Sequence, residues 1–135
     1  RLLNKRYPAA RITAIDFAET MLTQAREKLA GEAKVTFHCA DAELFLRETE
    51  QHYDLVTSNS TMHWFDSFES SATRISQRLT DHGALTCSIF GPETMRELRT
   101  GLGKIHGRQV MAPSSFFLGK EELRKILTGL FGTVE

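Results

Sequence analysis

Apolar and polar positions along this 135-residue chain repeat with two periods, near 2 and near 3.6, and the period switches repeatedly. Leu2, Leu3 and Tyr7 suggest the tail of a helix stopped by Pro8. Residues 11–15 (RITAI) predict a short strand. Residues 19–30 predict a helix with Met21, Leu22, Ala25 and Leu29 on one face and Gly31 as its stop. Its start is weakly specified, because Ala18 carries no capping oxygen. Residues 34–39 and 53–58 (YDLVTS) predict further strands. A helix is expected from Asp66, where Glu69 three residues on makes a capping-box-like pair, with Phe68, Ala72, Ile75 and Leu79 buried. Residues 83–90 (GALTCSIF) predict a fourth strand. Pro92 suits a first helical turn, followed by an apolar stripe of Met95, Leu98, Leu102 and Ile105. Residues 107–118 predict a loop, 120–131 a last helix, and 133–135 a strand cut short.

Alternating strands and helices point to right-handed crossovers and a mostly parallel sheet with helices on both faces, an α/β fold in a single domain over 1–135. Ligands of such sheets bind at the carboxyl ends of the strands, here just after residues 15, 39, 58 and 90.

Composition narrows the classes. Seventeen basic and seventeen acidic residues cancel, which argues against a nucleic-acid partner. A 41% apolar, 25% charged chain is ordinary for a globular domain, and no apolar run reaches the ~20 residues of a membrane helix. Two cysteines, Cys39 and Cys87, are too few for a disulfide scaffold and predict buried free thiols in a cytoplasmic protein. Residues 1–90 balance at −2 and residues 91–135 at +2, which fits ordinary variation or a mildly basic docking face. The histidines and cysteines show no metal-ligand spacing, so no metal site is expected.

The strand ends carry the candidate chemistry. Asp16 can accept from two ribose hydroxyls, and Phe17 can lie against a purine or join the core. Asp41, between Ala40 and Ala42, can accept from an exocyclic adenine amine or bond its own turn. The turn Ser58-Asn59-Ser60-Thr61-Met62-His63-Trp64-Phe65 offers small polar groups and free backbone to the charged end of an amino-acid-like cofactor, or is a polar loop with packed aromatics.

Residues 12–22 (ITAIDFAETML), 24–29 (QAREKL), 40–43 (ADAE) and 53–65 (YDLVTSNSTMHWF) resemble the class I S-adenosylmethionine-dependent methyltransferases. Residues 88–99 (SIFGPETMRELR) are similar to the malonyl-acyl-carrier-protein O-methyltransferases of biotin synthesis within that class. The resemblance implies a Rossmann-like fold with S-adenosylmethionine as cofactor. It implies Asp16 on the ribose, Asp41 and Ala42 on adenine, and Asn59 with the Ser58 backbone facing the methionyl moiety. Phe17, Met21 and Glu43 complete the implied cofactor contacts. The family's glycine-rich loop is expected before residue 1 and its last strand pair after residue 135. The chain therefore reads as a piece incomplete at both ends, expected to bind cofactor poorly alone.

The implied acceptor is the free carboxylate of a malonyl thioester on an acyl carrier protein. A carboxylate, with a solution pKa near ~4, is already ionised at neutral pH, so its methylation needs positioning and dryness rather than a base. Arg96 and Arg99, three apart on one helix face, are candidate carboxylate clamps or carrier contacts, against the alternative of solvated helix-face arginines. His63 and Trp64 are the candidate catalytic residues; His63 orients substrate or simply packs. Met111, Phe116 and Phe117 form a lid over an acyl chain or, preferably, tuck a loop onto the core. Three alternatives remain: a methyltransferase for a small polycarboxylate such as trans-aconitate, a catalytically degenerate methyltransferase-like binding subunit, and a nucleotide-dependent oxidoreductase with a similar half-sheet, against which Asp41 and the turn at residues 58–64 favour methyl transfer.

Overall fold

The structure, a computed structural model, describes residues 2–30 and 34–135; the helix stop expected at Gly31 lies outside them. Two compact units make up the chain, residues 1–49 and 50–135.

The first unit begins with α1 (Leu2–Arg6) and continues as β1 (Ile12–Asp16), α2 (Glu19–Lys28), β2 (Val35–Cys39) and α3 (Ala42–Glu48). β1 and β2 pair in parallel from Ile12 opposite Val35 to Asp16 opposite Cys39. Leu22 of α2 is buried, whereas Met21, expected on the same face, is exposed. The motif at residues 40–43 conceals a helix that the periodicity did not reveal. Asp41 is its N-cap, accepting from the Leu44 amide at 2.9 Å.

The second unit runs β3 (Tyr53–Asn59), a 3-10 turn (Met62–Trp64), α4 (Phe68–Arg78), β4 (Leu79–Ser88), α5 (Arg96–His106), a second 3-10 turn (Pro113–Phe116) and α6 (Lys120–Leu130). β3 and β4 are again parallel, in register from Leu55 opposite Ala84 to Asn59 opposite Ser88. The alternation of strands and helices thus has the expected outcome in both ladders. Among the described residues the strands form two separate pairs rather than one continuous sheet.

Several boundaries differ from expectation. The cap of α4 is Ser67, not Asp66, because the Ser67 hydroxyl accepts from the Ser70 amide at 3.2 Å. Phe68, Ala72 and Ile75 are buried as the pattern predicts, but Leu79 opens β4, opposite Tyr53, instead of closing the helix. The ladder then slips before resuming at Ala84, and Thr80 pins the slip by donating to Asp54 at 3.0 Å. α5 starts at Arg96 rather than Pro92, since Met95 adopts a left-handed backbone with φ 63° that interrupts helical propagation. Its stripe is not a core face: Leu98 is 55% and Ile105 77% exposed. No strand forms at residues 133–135.

The main apolar core lies in the second unit, where Met62, Phe68, Ala72, Ile75 and Ala112 are buried. Residues 107–118 tuck inward through Ala112 and Ser114, while Met111 and Phe116 stay exposed. Cys39 is exposed and Cys87 only half-buried, correcting the expectation of two buried thiols. Both cysteines occupy strand positions, but each strand belongs to a pair too small to be covered throughout.

Candidate functional site

In the first unit, the register that sets Asp16 opposite Cys39 brings the ends of β1 and β2 together, and the Ala40 amide donates to the Asp16 carbonyl at 3.1 Å. The Asp16 carboxylate and the Asp41 cap therefore belong to adjacent strand ends. Asp16 Oδ1 accepts from the Ala18 amide at 2.8 Å, and this Asx turn launches α2 where Ala18 cannot cap it. A carboxylate has about four lone-pair sites, so one local bond leaves acceptor capacity. Asp41 spends one oxygen on its cap in the same way. Phe17 follows Asp16 with its ring 81% exposed. Two acceptors beside an open aromatic face suit a planar base carrying a hydroxylated sugar. Met21 is exposed on the first turn of α2, and Ala42 and Glu43 sit in the first turn of α3.

Cys39 adds a feature that the motif did not disclose. Its sulfur lies 3.5 Å from the Phe17 carbonyl oxygen. A hydrogen bond to the Glu19 carboxylate pushes the thiol pKa up, because that bond favours the protonated form. Glu19 is held down in turn by Arg26, 2.5 Å away, and by the Cys39 bond.

In the second unit, Ser58 and Asn59 end β3, and Ser60 turns with φ 53°. Ser88, the last residue of β4, donates its hydroxyl to Asn59 Oδ1. The Ser60 amide donates to the Ser88 carbonyl at 2.9 Å and to Ser88 Oγ at 3.1 Å. Thr61 Oγ1 donates to the Asn59 carbonyl at 3.2 Å. The Asn59 side chain thus ends a hydrogen-bonded junction of the two strands. Ser88 was not among the expected site residues, since a serine in a half-buried strand looks like ordinary polar alternation.

His63 and Trp64 lie on the 3-10 turn that follows. The His63 ring sits 5.0 Å from Trp64, 4.8 Å from Phe90 and 4.7 Å from Phe117, centroid to centroid. Neither ring nitrogen meets a hydrogen-bond partner among the described residues. Burial pushes the His63 pKa below its ordinary 6.5, so the imidazole is neutral at pH 7. Trp64 contacts Phe117 edge-on at 5.3 Å yet stays 59% exposed. Beside them lies a cleft of about 290 Å³ with His63, Phe65, Phe116 and Phe117 in its lining, together with the carboxylates Asp66 and Glu122.

Arg99 is half-buried and donates to the Pro92 carbonyl at 3.2 Å, with Glu93 3.9 Å away. It holds the turn that precedes α5. Arg96 is exposed and lies 3.9 Å from Glu93 and 3.6 Å from Glu97. Both arginines thus have local partners, though a guanidinium's five donors leave several unused. Among the described residues no three His, Cys, Asp or Glu side chains gather as metal ligands. No helix there is long and apolar enough to cross a membrane.

The first unit thus sets two carboxylates at adjacent parallel strand ends beside an exposed aromatic, and the second unit, taken by itself, ends its strand pair in a polar asparagine turn. The family model described as a methyltransferase domain matches residues 1–83, and the chain belongs to that family. It is 37% identical over 139 residues to a malonyl-acyl-carrier-protein O-methyltransferase of Acetivibrio thermocellus, covering 100% of this chain and 48% of that protein. The protein of the same name from Priestia megaterium is 33% identical over 132 residues, covering 93% of this chain and 46% of its own length. The chain spans about half the length of the curated relatives it matches. The plantazolicin methyltransferase BpumL, solved in complex with SAH, shares the fold with a TM-score of 0.68 at 19% identity, covering 96% of this chain and 49% of BpumL. The chain therefore has a Rossmann-like methyltransferase fold.

Proposed function

We propose that this chain carries cofactor and acceptor contacts of an S-adenosylmethionine-dependent carboxyl O-methyltransferase whose acceptor is a malonyl thioester on an acyl carrier protein. The observation that carries the cofactor assignment is the pair Asp16 and Asp41 on adjacent parallel strand ends beside the exposed Phe17 ring. The residues fit the group: Asp16 retains acceptor capacity for ribose hydroxyls, Asp41 for an adenine amine, and Phe17 offers an apolar face. S-adenosylmethionine, when bound, supplies an electrophilic methyl on a sulfonium.

The acceptor assignment is supported by the names of the relatives, one of which matches over the whole length of the chain. No residue need take a proton from an ionised carboxylate, and a neutral His63 in an apolar surround is consistent with that. The enzyme's task is to align two reactants and exclude water. Trp64, Phe90 and Phe117 offer apolar faces around His63, and the unspent donors of Arg96 and Arg99 are the candidate cations for the acceptor or its carrier.

The test is twofold. Titration calorimetry of the full-length protein with S-adenosylhomocysteine should show saturable binding, weakened by Asp16→Ala; absence of binding at millimolar ligand would overturn the cofactor assignment. Radiolabelled methyl transfer should favour malonyl-carrier protein over trans-aconitate, and the opposite order would replace the acceptor with a small free acid.

A further inference from the structure

We infer that Ser88 is a positioning residue that fixes which end of the Asn59 amide faces a ligand. A primary amide has an acceptor oxygen and a donor nitrogen of nearly equal shape, so either end can be presented unless a neighbour distinguishes them. Ser88 makes that distinction. The Ser60 amide occupies a lone pair of Ser88 Oγ at 3.1 Å while also bonding the Ser88 carbonyl at 2.9 Å. The Ser60 hydroxyl, 3.5 Å from Ser88 Oγ, is placed to fill its second lone pair, which leaves the single hydroxyl proton of Ser88 for Asn59 Oδ1. The left-handed backbone of Ser60 turns the chain so that its amide reaches back across the two strand ends.

With Oδ1 committed, Asn59 presents its two N–H donors, and Nδ2 has no partner among the described residues. Its ligand atom is then an acceptor: a carboxylate or carbonyl oxygen. This rests on the cofactor assignment above, under which the acceptor is the carboxylate of the cofactor's amino-acid end. Ser88 need not touch the ligand. Losing its hydroxyl frees the amide to flip, so the donor end is no longer held toward the ligand.

The experiment uses the full-length protein with Ser88→Ala, Ser88→Thr, Asn59→Ala and the Ser88→Ala/Asn59→Ala double variant. Each is checked by thermal melting, then by calorimetry with S-adenosylhomocysteine and by the Asn59 side-chain amide pair in ¹H–¹⁵N spectra of the ligand-free protein. Ser88→Ala should weaken binding by about tenfold, the scale of one hydrogen bond to a charged group, and should move the amide pair. Ser88→Thr, which keeps the hydroxyl, should restore both, and Ser88→Ala should have no further effect once Asn59 is Ala. Additive effects in the double variant, or an unmoved amide pair in a folded Ser88→Ala protein, would overturn the positioning role. A wild-type protein that fails to bind S-adenosylhomocysteine while Ser88→Ala still moves the amide pair would support the positioning role and sink the cofactor assignment alone.

Discussion

His63 shows how one side chain converts packing into a pH dependence. Its ring lies among Trp64, Phe90 and Phe117, and its pKa is lowered by burial. The folded state therefore binds fewer protons than the unfolded chain below about 6.5. Stability from this group is present above that pH and is lost as the pH falls. We expect the melting temperature to drop between pH 7 and pH 5, and His63→Gln to flatten that slope. An unchanged slope in a folded His63→Gln protein would show that the imidazole is not the group responsible. Cys39 gives a second residue-scale test. The thiol is exposed, yet Glu19 holds it protonated, which slows attack by its thiolate. Glu19→Gln should speed Cys39 alkylation by iodoacetamide several-fold near pH 8. Asp16 and Asp41 were legible as strand-end carboxylates from their motifs, and so was a local turn bond for Asp41, realised with the Leu44 amide, but the bond from the Ala18 amide to Asp16 was not. Backbone donors become visible only once the chain is folded.

At the scale of elements, periodicity located the four strands and the helices α2, α4, α5 and α6, missed α3, and misjudged several ends. The strand expected from Gly83 begins at Leu79, because the β3 edge offers Tyr53 a partner before the slip. Gly83 occupies the tight point of that slip. A Cβ there would lie 2.9 Å from both Leu79 Cβ and the Tyr53 carbonyl oxygen. Gly83→Ala should therefore destabilise by about 1–3 kcal/mol through overpacking against strand backbone, measured by chemical denaturation. Ser67→Ala, which removes the α4 cap, should cost roughly 0.5–2 kcal/mol in the same assay, whereas Asp66→Asn should cost less. The reverse order would restore Asp66 as the cap. The apolar stripe of α5 had the right spacing for a buried face and yet stands open at Leu98 and Ile105. Spacing identifies a face, but what covers it is decided by elements distant in sequence.

For the molecule as a whole, the two units differ in how much they bury. Leu22 is the buried apolar residue among the described positions of the first unit, while five belong to the second. A two-stranded pair with so little covered surface opens readily. We expect native-state hydrogen exchange of the 135-residue chain to be faster in β1 and β2 than in β3 and β4 by at least about tenfold. Equal protection in the two ladders would contradict this. Ligand binding supplies a second whole-molecule measurement: at ~100-fold excess over its Kd, S-adenosylhomocysteine should stabilise the full-length protein by ~2.7 kcal/mol through mass action.

Local chemistry was sufficient for the α/β alternation, the parallel pairing and the strand ends that carry Asp16, Asp41 and Asn59. These follow from side-chain period and turn residues, properties of a few neighbouring positions. Tertiary structure alone decided the hidden helix α3, the slip at Gly83, the aromatic surround of His63 and the Ser88–Asn59 bond. The last joins residues 29 apart in sequence. Hydrogen bonds and burial of that kind depend on which strand pairs with which and in what register, and a strand's side-chain alternation fixes the face it buries but not the partner it meets.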